Sequence, residues 1–588
     1  MAIRHAAPAL LAAAVAMAGG AAAPDPGSSR IQLDQLGYPT HAAKRATVAD
    51  SAATTFAVLA LAGDTVLTGT LTAAERWAPS EEVVRQAAFD RLTRAGTYVL
   101  AVAGVGRSAP FTVGPSPYHE LARGAIKAFY FQRTSVDLPA RFAGRWARAA
   151  GHPDSAVLVH PSAASPGRPA GTTIAAPGGW YDAGDYNKYV VNSGISTYTL
   201  LALVEHFPAY TDSLGTGIPE SGNALPDALD EALWNLRWMR RMQDPADGGV
   251  YHKLTNAEFD RFEPPDEARA PRYVVQKSTA ATLDFAAVAA HASLVVARYP
   301  QALPGLADSL TREALAAWRW ARQHPDSIYD QRRLSARFAP AINTGEYGDA
   351  HVDDERQWAA AELFLATRAD SFLVLAAPLA APAPTVPDWG SVRTLGLYSL
   401  VDHRRALPRG FDTAALVGRL ASLGDTLVAR ARRSPYGIPL TTGEFVWGSN
   451  AIAANQGMAL VQRWRATGDT ASLGAAASIL HYLLGRNPTG YSFVTGYGAR
   501  TPMHPHHRPS ASDTVEAPVP GLLVGGPNPH QQDHCAGYPT RVPARSYVDS
   551  TCAYAANEIA INWNAPLAYL AAALDAIDVG AVQRPPQP

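Results

Sequence analysis

The chain has 588 residues, 47% of them hydrophobic, which is enough to bury a large core and exceeds one ordinary domain. Its 50 Lys and Arg residues nearly balance 51 Asp and Glu residues, for a formal net charge of -1. This balance argues against partners that need a basic surface, namely nucleic acid and anionic membranes, and it favours a neutral partner.

The N-terminus has the pattern of an export signal. Arg4 and His5 form a short polar start, residues 6–18 are apolar, and residues 19–23 are small. The apolar run is too short to span a bilayer as an anchor. We therefore expect a signal peptide over residues 1–23 and a secreted protein, extracellular or periplasmic. We expect no later apolar segment to be long enough for a membrane anchor. The alternative is an ordinary N-terminal segment.

Residues 30–114 predict a small β-sandwich. Short β-type runs alternate with turns such as Gly63-Asp64 and Ala95-Gly96. The clearest runs are Ile31–Leu33, Thr55–Leu59, Thr65–Leu67, Thr97–Leu100 and Phe111–Val113. No cluster of acids or histidines occurs in this segment, so we interpret it as a structural module.

Residues 115–577 predict a helical domain, followed by a tail at 578–588. Apolar residues recur at spacings of three and four in several segments. The expected helices are Glu120–Arg133, Ser193–His206, Ala224–Met242, Ser278–Arg298, Leu306–Arg322, Asp353–Thr367, Thr413–Arg432, Asn450–Thr467, Ala471–Leu484 and Ala555–Leu574, with two more near Ser371 and Ser391. The Pro- and Ala-rich residues 377–387 predict a surface loop.

The first functional motif is the glycine-rich loop of residues 178–189. It places Asp182 and Asp185 three residues apart among Trp and Tyr residues. Two close carboxylates repel each other unless a cation, a shared proton or a bound water compensates. Aromatic rings beside carboxylates suit sugars, whose C–H faces stack on rings. The alternatives are that the pair caps the following helix or binds a structural ion.

Two further motifs lie near the C-terminus. The loop of residues 492–508 ends in His504, His506, His507 and Arg508. These donors suit a row of sugar hydroxyls; a zinc site and an exposed histidine-rich loop are the alternatives. In the segment 547–565, Asp549 precedes the last apolar helix, which we expect Glu558 to open. A position at a helix start would lower the pKa of Glu558. Glu558 can therefore act as a general acid only if burial and neighbouring carboxylates raise its pKa by more than the helix start lowers it.

Taken together, the motifs resemble family-9 glycoside hydrolases. The resemblance lies in Asp-Ala-Gly-Asp at 182–185, in the loop ending His506-His507-Arg508, and in the Tyr-x-Asp…Tyr-x-x-x-Glu run at 547–558, which occur in the family's order. It covers roughly residues 115–577. It implies an all-α (α/α)6 barrel of six inner and six outer helices, and the N-terminal segment resembles the immunoglobulin-like β-sandwich that precedes many members.

The resemblance also implies residue roles. Asp185 matches the general base, Asp182 the carboxylate that helps to hold the attacking water, and Glu558 the general acid. Asp549 matches an acid that supports the site. The remaining matched residues are His506 in the catalytic group and, for substrate binding, Arg508, Trp563 and Tyr554.

The chemistry implied by the resemblance needs no cofactor, but the family binds calcium beside an Asp-Glu pair that opens a helix. Here that pair is Asp354-Glu355, with the Ala350 carbonyl as a third ligand; the alternative is an ordinary solvated helix start. Separately, we predict a disulfide between Cys535 and Cys552, because export permits it and the two residues bracket the loop that leads to Asp549.

The preferred hypothesis is a secreted, monomeric, inverting hydrolase that cleaves β-1,4-glucosidic bonds in cellulose or related β-glucans as an endoglucanase. An alternative is an exo-acting β-glucosidase or glucosaminidase type of enzyme on short oligosaccharides. Another is a non-catalytic carbohydrate-binding protein. Three mutually repelling acids argue against the last, since a binding protein does not need them.

Overall fold

The computed structural model describes residues 27–376 and 382–580. The predicted signal peptide, the start of the predicted 377–387 loop and most of the predicted tail lie outside the described residues. The first ten strands are β1 (Ile31–Gln32), β2 (Gly37–Pro39), β3 (Arg45–Val48), β4 (Thr55–Ala60), β5 (Thr65–Thr70), β6 (Glu75–Trp77), β7 (Glu82–Ala88), β8 (Gly96–Val102), β9 (Gly106–Arg107) and β10 (Phe111–Gly114).

These strands form two sheets that enclose one apolar core, which confirms the predicted β-sandwich. One sheet has the order β1-β3-β7-β6; the other has β2-β10-β8-β4-β5, with β9 paired to β8. Pairing is antiparallel except between β10 and β2. Val58 lies opposite Leu100, and both point into a core that includes Phe56, Phe89 and Phe111. Alternation along the strands places these apolar side chains on the inner faces.

Seventeen α-helices follow in the described residues, and all twelve expected helices are among them. They are α1 (His119–Phe131), α2 (Ala140–Ala143), α3 (Val190–His206), α4 (Pro208–Ser213), α5 (Asp227–Met242), α6 (Thr279–Val296), α7 (Leu306–Gln323), α8 (Gln331–Arg337), α9 (Asp353–Thr367), α10 (Asp370–Ala376), α11 (Arg393–Asp402), α12 (Thr413–Arg433), α13 (Ser449–Thr467), α14 (Thr470–Leu483), α15 (Arg508–Ser512), α16 (Tyr554–Asn557) and α17 (Ile561–Asp578).

The helical domain has an inner set of helices that are buried almost all round. In α3, α6 and α17 nearly every residue is buried, and α3 packs between the other two. By contrast, α7 and α12 bury one face and expose the other, as outer helices do. The inner and outer sets are the two layers of the expected barrel.

One expectation about membrane anchoring needs correction. Helix α6 is long and apolar enough to cross a bilayer, with a mean hydropathy of 1.5 over 18 residues. However, 94% of it is buried inside the domain, where it packs against α3, α7 and α9. Its hydrophobicity is that of a core helix surrounded by other helices.

A third, smaller sheet lies within the helical domain, and the sequence did not predict it. Its strands are β11 (Val157–Val159), β12 (Thr173–Ile174), β13 (Lys188–Tyr189), β14 (Lys253–Asn256) and β15 (Arg272–Val274). They pair in the order β12-β11-β15-β14-β13. The sheet therefore joins the end of the 178–189 loop to the distant segments around residues 253 and 272.

Buried polar contacts fasten the β-sandwich to the helical domain. The Tyr118 hydroxyl, just before α1, donates to Asp34 Oδ2 at 3.1 Å and lies 3.1 Å from His481 Nε2. Burial raises the pKa of Asp34 to about 8. Such a carboxyl is stable in the interior because it is hydrogen-bonded, so the two domains are joined by specific contacts.

The predicted disulfide is present. Cys535 and Cys552 are bonded, with a Cα–Cα distance of 5.5 Å, and they close a loop that contains Asp549. This bridge braces a segment with little regular structure directly before α16.

Candidate active site

The 178–189 loop presents its two carboxylates side by side. Gly178 and Gly179 have φ values of +81° and +82°, a conformation that favours glycine and shapes the turn. Asp185 Oδ2 accepts hydrogen bonds from Asn187 Nδ2 at 2.6 Å and from the Tyr189 hydroxyl at 3.1 Å. In the described part of the chain both donors bind this one oxygen, which leaves Oδ1 for a further partner.

Asp182 is held by two other donors. The Tyr347 hydroxyl donates to Oδ2 at 2.8 Å, and Asn192 Nδ2, from α3, donates to Oδ1. Burial, together with the charge on Asp185, raises the pKa of Asp182 well above its usual range, although these two hydrogen bonds oppose the shift. The charge on Asp185 therefore disfavours ionisation of Asp182 beside it.

Glu558 does not open the last helix, as the sequence analysis expected. Helix α16 ends at Asn557, Glu558 is extended with φ -71° and ψ 159°, and α17 begins only at Ile561. The Glu558 backbone instead pairs with His506 in a parallel bridge, and its carbonyl accepts from Gly525 N at 2.8 Å. These tertiary hydrogen bonds compete successfully with the local helical pattern.

This placement gives Glu558 the properties of a protonated carboxyl group. Burial is the main reason that the pKa of Glu558 lies well above its usual 4.5, and the charges on Asp185 and Asp182 add to the shift. Arg508 and the Gly184 amide oppose it. Glu558 lies before the start of α17 and so does not occupy the first turn of that helix, the position that was expected to lower its pKa.

Arg508 joins the two motifs through backbone contacts. Its Nη1 and its backbone N both donate to the Gly184 carbonyl, at 2.8 and 3.1 Å, and its Nε donates to the Asp260 carbonyl at 2.9 Å. The guanidinium also lies 5.1 Å from the centre of the Phe262 ring. Arg508 therefore positions the loop that carries Asp185; its predicted role in substrate binding stays a prediction.

The three histidines have different environments. His506 Nδ1 lies 2.7 Å from the Thr551 carbonyl, so it carries the proton and Nε2 can accept; burial lowers the pKa of this ring. Both nitrogens of His507 are engaged inside the protein, with Ser510 and Gln132 at 2.8 and 2.9 Å. His504 is exposed. Within the described residues no group of three or more His, Cys, Asp or Glu is arranged for a metal ion, so the zinc alternative finds no support.

Asp549 supports the histidine loop. Its carboxylate accepts from the backbone amides of Met503 and His504 at 2.8 and 2.9 Å, and from Asn557 Nδ2 at 3.0 Å. It therefore connects this loop to the residue before Glu558; the supporting role that the resemblance implied stays a prediction.

The three acids share one cavity of about 390 Å³. The cavity is lined by Asp182, Ala183, Asp185, Tyr189, Phe259, Gly345, Glu346, Tyr347, Trp389, Trp447, Glu558, Ala560, Asn562 and Trp563. Trp563 is thus in the site. Tyr554 lies beside it, with its ring 5.2 Å from Trp447 and 5.8 Å from His506.

Several lining residues were missed by sequence reasoning. Phe259 and Trp447 are 47% and 43% exposed, which leaves their faces available to a ligand. Tyr347 and Trp389 pack edge to face at 5.2 Å. Trp447 lies in the turn directly before α13, and Phe259 and Tyr347 carry no local signal.

The predicted metal residues lie in a cluster of buried carboxylates. Glu355 and Asp284 are fully buried, and none of their oxygens has a hydrogen-bond partner in the described residues. Burial and the charges on Asp284, Asp354 and Asp349 raise the pKa of Glu355 strongly. Ala350 is exposed beside the buried Asp349. Such a cluster needs compensation by protons or by a cation, and its oxygen donors are of the type that calcium prefers.

Comparison with known proteins agrees with this geometry. The model of glycosyl hydrolase family 9 matches residues 118–571, and the model of the cellulase N-terminal ig-like domain matches residues 27–107. The chain is 44% identical over 559 residues to the xyloglucan-specific endo-beta-1,4-glucanase BoGH9A of Bacteroides ovatus, covering 94% of this chain and 95% of that protein. It is 31% identical over 547 residues to Endoglucanase D of Acetivibrio thermocellus, covering 92% and 82%.

A solved structure described as Bacteroides ovatus GH9 superimposes with a TM-score of 0.89 at 42% identity, covering 94% of this chain and 99% of that one. The family match spans the whole helical domain, and the three acid-bearing motifs lie within it. The chain therefore belongs to glycosyl hydrolase family 9, with an N-terminal immunoglobulin-like domain.

Proposed function

We propose that this glycoside hydrolase is an inverting endo-β-1,4-glucanase. The observation that carries the proposal is the shared cavity: Glu558, whose pKa is raised by burial and by neighbouring charge, lines the same cavity as Asp185. Glycoside hydrolysis uses two carboxyl groups that flank the cleaved bond, and it proceeds with inversion where the second one activates a water instead of attacking the sugar itself.

Each acid has a separate task in this proposal. Glu558 gives its proton to the oxygen of the departing sugar. Asp185, oriented by Asn187 and Tyr189, takes a proton through Oδ1 from a water that attacks the anomeric carbon from the opposite face. Asp182, held by Tyr347, accepts a hydrogen bond from that water and orients it. The leaving sugar departs with the proton from Glu558 while Asp185 gains a proton from the water. The total charge of the two carboxyl groups is therefore unchanged by the step.

Product analysis tests the stereochemistry. Proton NMR during hydrolysis of a soluble β-glucan should show the α-anomer of the new reducing end first, before mutarotation. A first-formed β-anomer would indicate retention, which requires carboxylates about 5–5.5 Å apart instead of about 6.5–9.5 Å. That result would remove Asp185 from the role of base.

Endo action follows from the exposed aromatic residues at the cavity. Phe259 and Trp447 offer ring faces on which sugar units beyond the cleaved bond can stack. An endo-acting enzyme should lower the viscosity of a soluble glucan long before reducing ends accumulate. If viscosity falls only as fast as reducing ends accumulate, and if the products are only cellobiose or glucose, the exo-acting alternative is favoured.

For the preferred glucan we propose xyloglucan, a β-1,4-glucan backbone with side-chain sugars. Support comes from the 44% identity with a relative of that named specificity over nearly the full length of both chains. Initial rates on xyloglucan, carboxymethylcellulose and mixed-linkage β-glucan should rank xyloglucan first. If unsubstituted cellulose derivatives are cleaved faster, the enzyme is a general endoglucanase.

We also propose a structural calcium ion at the start of α9. Asp354 and Glu355 would supply carboxylate ligands, with the Ala350 carbonyl as the further predicted ligand; no set of three or more His, Cys, Asp or Glu side chains in the described residues is arranged around one ion. The ion would neutralise buried negative charge and would take no part in bond cleavage. Removing calcium with a chelator should lower the unfolding temperature, and added calcium should restore it. An unfolding temperature that does not respond to either treatment would contradict this site.

The pattern of residues 1–23 and the disulfide both support export to an oxidising compartment. We propose that the mature enzyme acts as a secreted monomer on its polysaccharide. Fractionation of the native host and light scattering of the purified protein test these two points separately.

A further inference from the structure

The loop with Asp182 and Asp185 rests on residues 151–154, a segment that is buried except at Pro153 and that the proposed chemistry does not use. His152 and Asp154 have φ values of +47° and +45°, although neither is glycine, and both are buried. Each such left-handed residue costs about 1–3 kcal/mol and persists only where its surroundings hold it in place. This segment is therefore held firmly against its neighbours.

The Asp154 carboxylate lies between two buried cations. Its Oδ2 is 2.7 Å from Lys188 Nζ, and its Oδ1 is 2.9 Å from Arg272 Nε. The side chains of Asp154, Lys188 and Arg272 are 1%, 0% and 7% exposed. Ion pairs removed from water to this degree depend on both partners, because an unpaired buried charge is costly.

Both cations also hold the backbone around the two aspartates: Lys188, at the end of the 178–189 loop, binds the other end of that loop, and Arg272 binds it from a separate strand. Lys188 Nζ donates to the carbonyls of Gly178 and Ala176 at 2.7 and 3.3 Å, which lie before the aspartates. Arg272 Nη1 donates to the Tyr186 carbonyl at 2.9 Å, which lies directly after them. The two cations therefore bind backbone carbonyls on both sides of Asp182 and Asp185.

The 151–154 segment touches the same loop at two further points. The Ala176 amide donates to the Asp154 carbonyl at 2.8 Å, and His152 Nδ1 lies 2.7 Å from the Tyr181 hydroxyl. Tyr181 is the residue immediately before Asp182. The Asp154 carboxylate, through Lys188 and Arg272, and the backbone and His152 of the same segment therefore contact the loop at several points on both sides of the aspartates.

We propose that Asp154 is a positioning residue that holds the base-bearing loop in its productive geometry by fixing Lys188 and Arg272. This inference rests on the proposed role of Asp185 as general base. Asp154 also maintains the charge of Lys188: burial and the nearby Arg272 lower the pKa of Lys188 to about 8, and Asp154 opposes that shift. Without Asp154, Lys188 loses charge near neutral pH and donates more weakly to the loop carbonyls.

The test compares Asp154→Asn with a matched control, Asp244→Asn. Asp244 is also buried between two cations, with Oδ2 2.7 Å from Lys277 Nζ and Oδ1 3.7 Å from Arg168 Nε. In the described residues its contacts do not reach the 176–189 loop. Loss of general stability alone should therefore affect both variants, whereas loss of loop position should affect only Asp154→Asn.

For Asp154→Asn we expect kcat to fall about 100-fold, because misplacement of a catalytic group by about 1 Å has that effect. The loss should be equal on β-glucan and on a glucosyl fluoride, whose leaving group needs no proton, and KM should be unchanged. Hydrogen exchange of the free enzyme should be faster in peptides covering residues 176–189. Asp244→Asn should keep the kcat and the exchange rate of wild type in that region.

Full kcat in Asp154→Asn, or a loss of kcat without faster exchange in residues 176–189, would overturn the proposal. If Asp154→Asn does not fold, Arg272→Lys takes its place, since it keeps the charge beside Asp154 but loses the planar fork that reaches the Tyr186 carbonyl. For Arg272→Lys, too, full kcat or a loss of kcat without faster exchange in residues 176–189 would overturn the proposal. Because exchange is measured without substrate, it tests the contacts even if the wild type cleaves no β-glucan, a result that would refute only the proposed function.

Discussion

Gly184, in the base-bearing loop, lies against His506, whose backbone pairs with that of Glu558. A Cβ added to Gly184 would lie 2.1 Å from the His506 carbonyl oxygen and 2.8 Å from His506 Cδ2. The obstructing oxygen belongs to the backbone, and the same residue pairs with Glu558. Gly184→Ala must therefore move one of the two motifs.

The size of the effect follows from that distance. To reach 3.0 Å, the closest tolerable approach, the two backbones must separate by about 0.9 Å. A displacement of about 1 Å between catalytic groups costs about 100-fold in rate, and overpacking costs about 1–3 kcal/mol in the free energy of unfolding. We expect kcat on soluble β-glucan to fall by that factor, with thermal unfolding shifted to lower temperature.

Gly474→Ala is the matched control. Gly474 is an exposed residue inside α14, and a Cβ there meets nothing within 4 Å. This substitution should leave kcat unchanged and should stabilise the helix by about 0.5–1 kcal/mol. Wild-type kcat in Gly184→Ala would show that the two motifs are not in the tight contact described, and the reasoning would fail.

Three further predictions concern pH, the cavity and the disulfide. Since Glu558 must be protonated and its pKa lies well above 4.5, activity should persist above pH 4.5 and fall as pH rises through that pKa. Between pH 4.5 and that pKa the unfolded state gives up the Glu558 proton before the folded state does, so wild-type stability falls with pH in that window and Glu558→Gln should gain stability relative to wild type; unfolding temperatures that stay parallel across it would contradict this. Phe259→Ala should raise KM for long glucans more than for a disaccharide substrate, and equal changes would remove Phe259 from substrate binding. Replacing Cys535 and Cys552 by Ser should lower the free energy of unfolding by about 3 kcal/mol for a loop of this length, and unchanged chemical denaturation would contradict that estimate.

Local patterns in the sequence were sufficient for most helices. Asp353–Thr367 begins and ends where the sequence predicts, because acids fill its first turn and apolar residues follow at helical spacing. The last helix begins six residues later than Ala555, the start that was predicted. The difference arises because Glu558 pairs with His506, about fifty residues earlier in the chain, and no local pattern reports such a contact.

The candidate site was predictable where its residues form compact motifs. Asp182, Asp185, Glu558 and Trp563 were identified in this way and line one cavity. Tyr347 was missed, since it lies 165 residues from Asp182 in sequence and reaches it only through the fold.

The supporting contacts were also beyond sequence reasoning. Lys188 and Arg272 lie on strands of two or three residues, too short to show a period. Asp154 stands in a segment without regular structure, and its partners are defined by distance in space alone.

The division of labour between Glu558 and Asp185 is tested most directly with a β-glucosyl fluoride, whose leaving group needs no protonation. Glu558→Gln should lose activity on β-glucan but retain much of its rate on the fluoride, since the amide preserves shape and only the proton is missing. Asp185→Asn should be inactive on both substrates, because its water is still not activated. Equal loss by both variants on both substrates would contradict the assignment of Glu558 as acid and Asp185 as base.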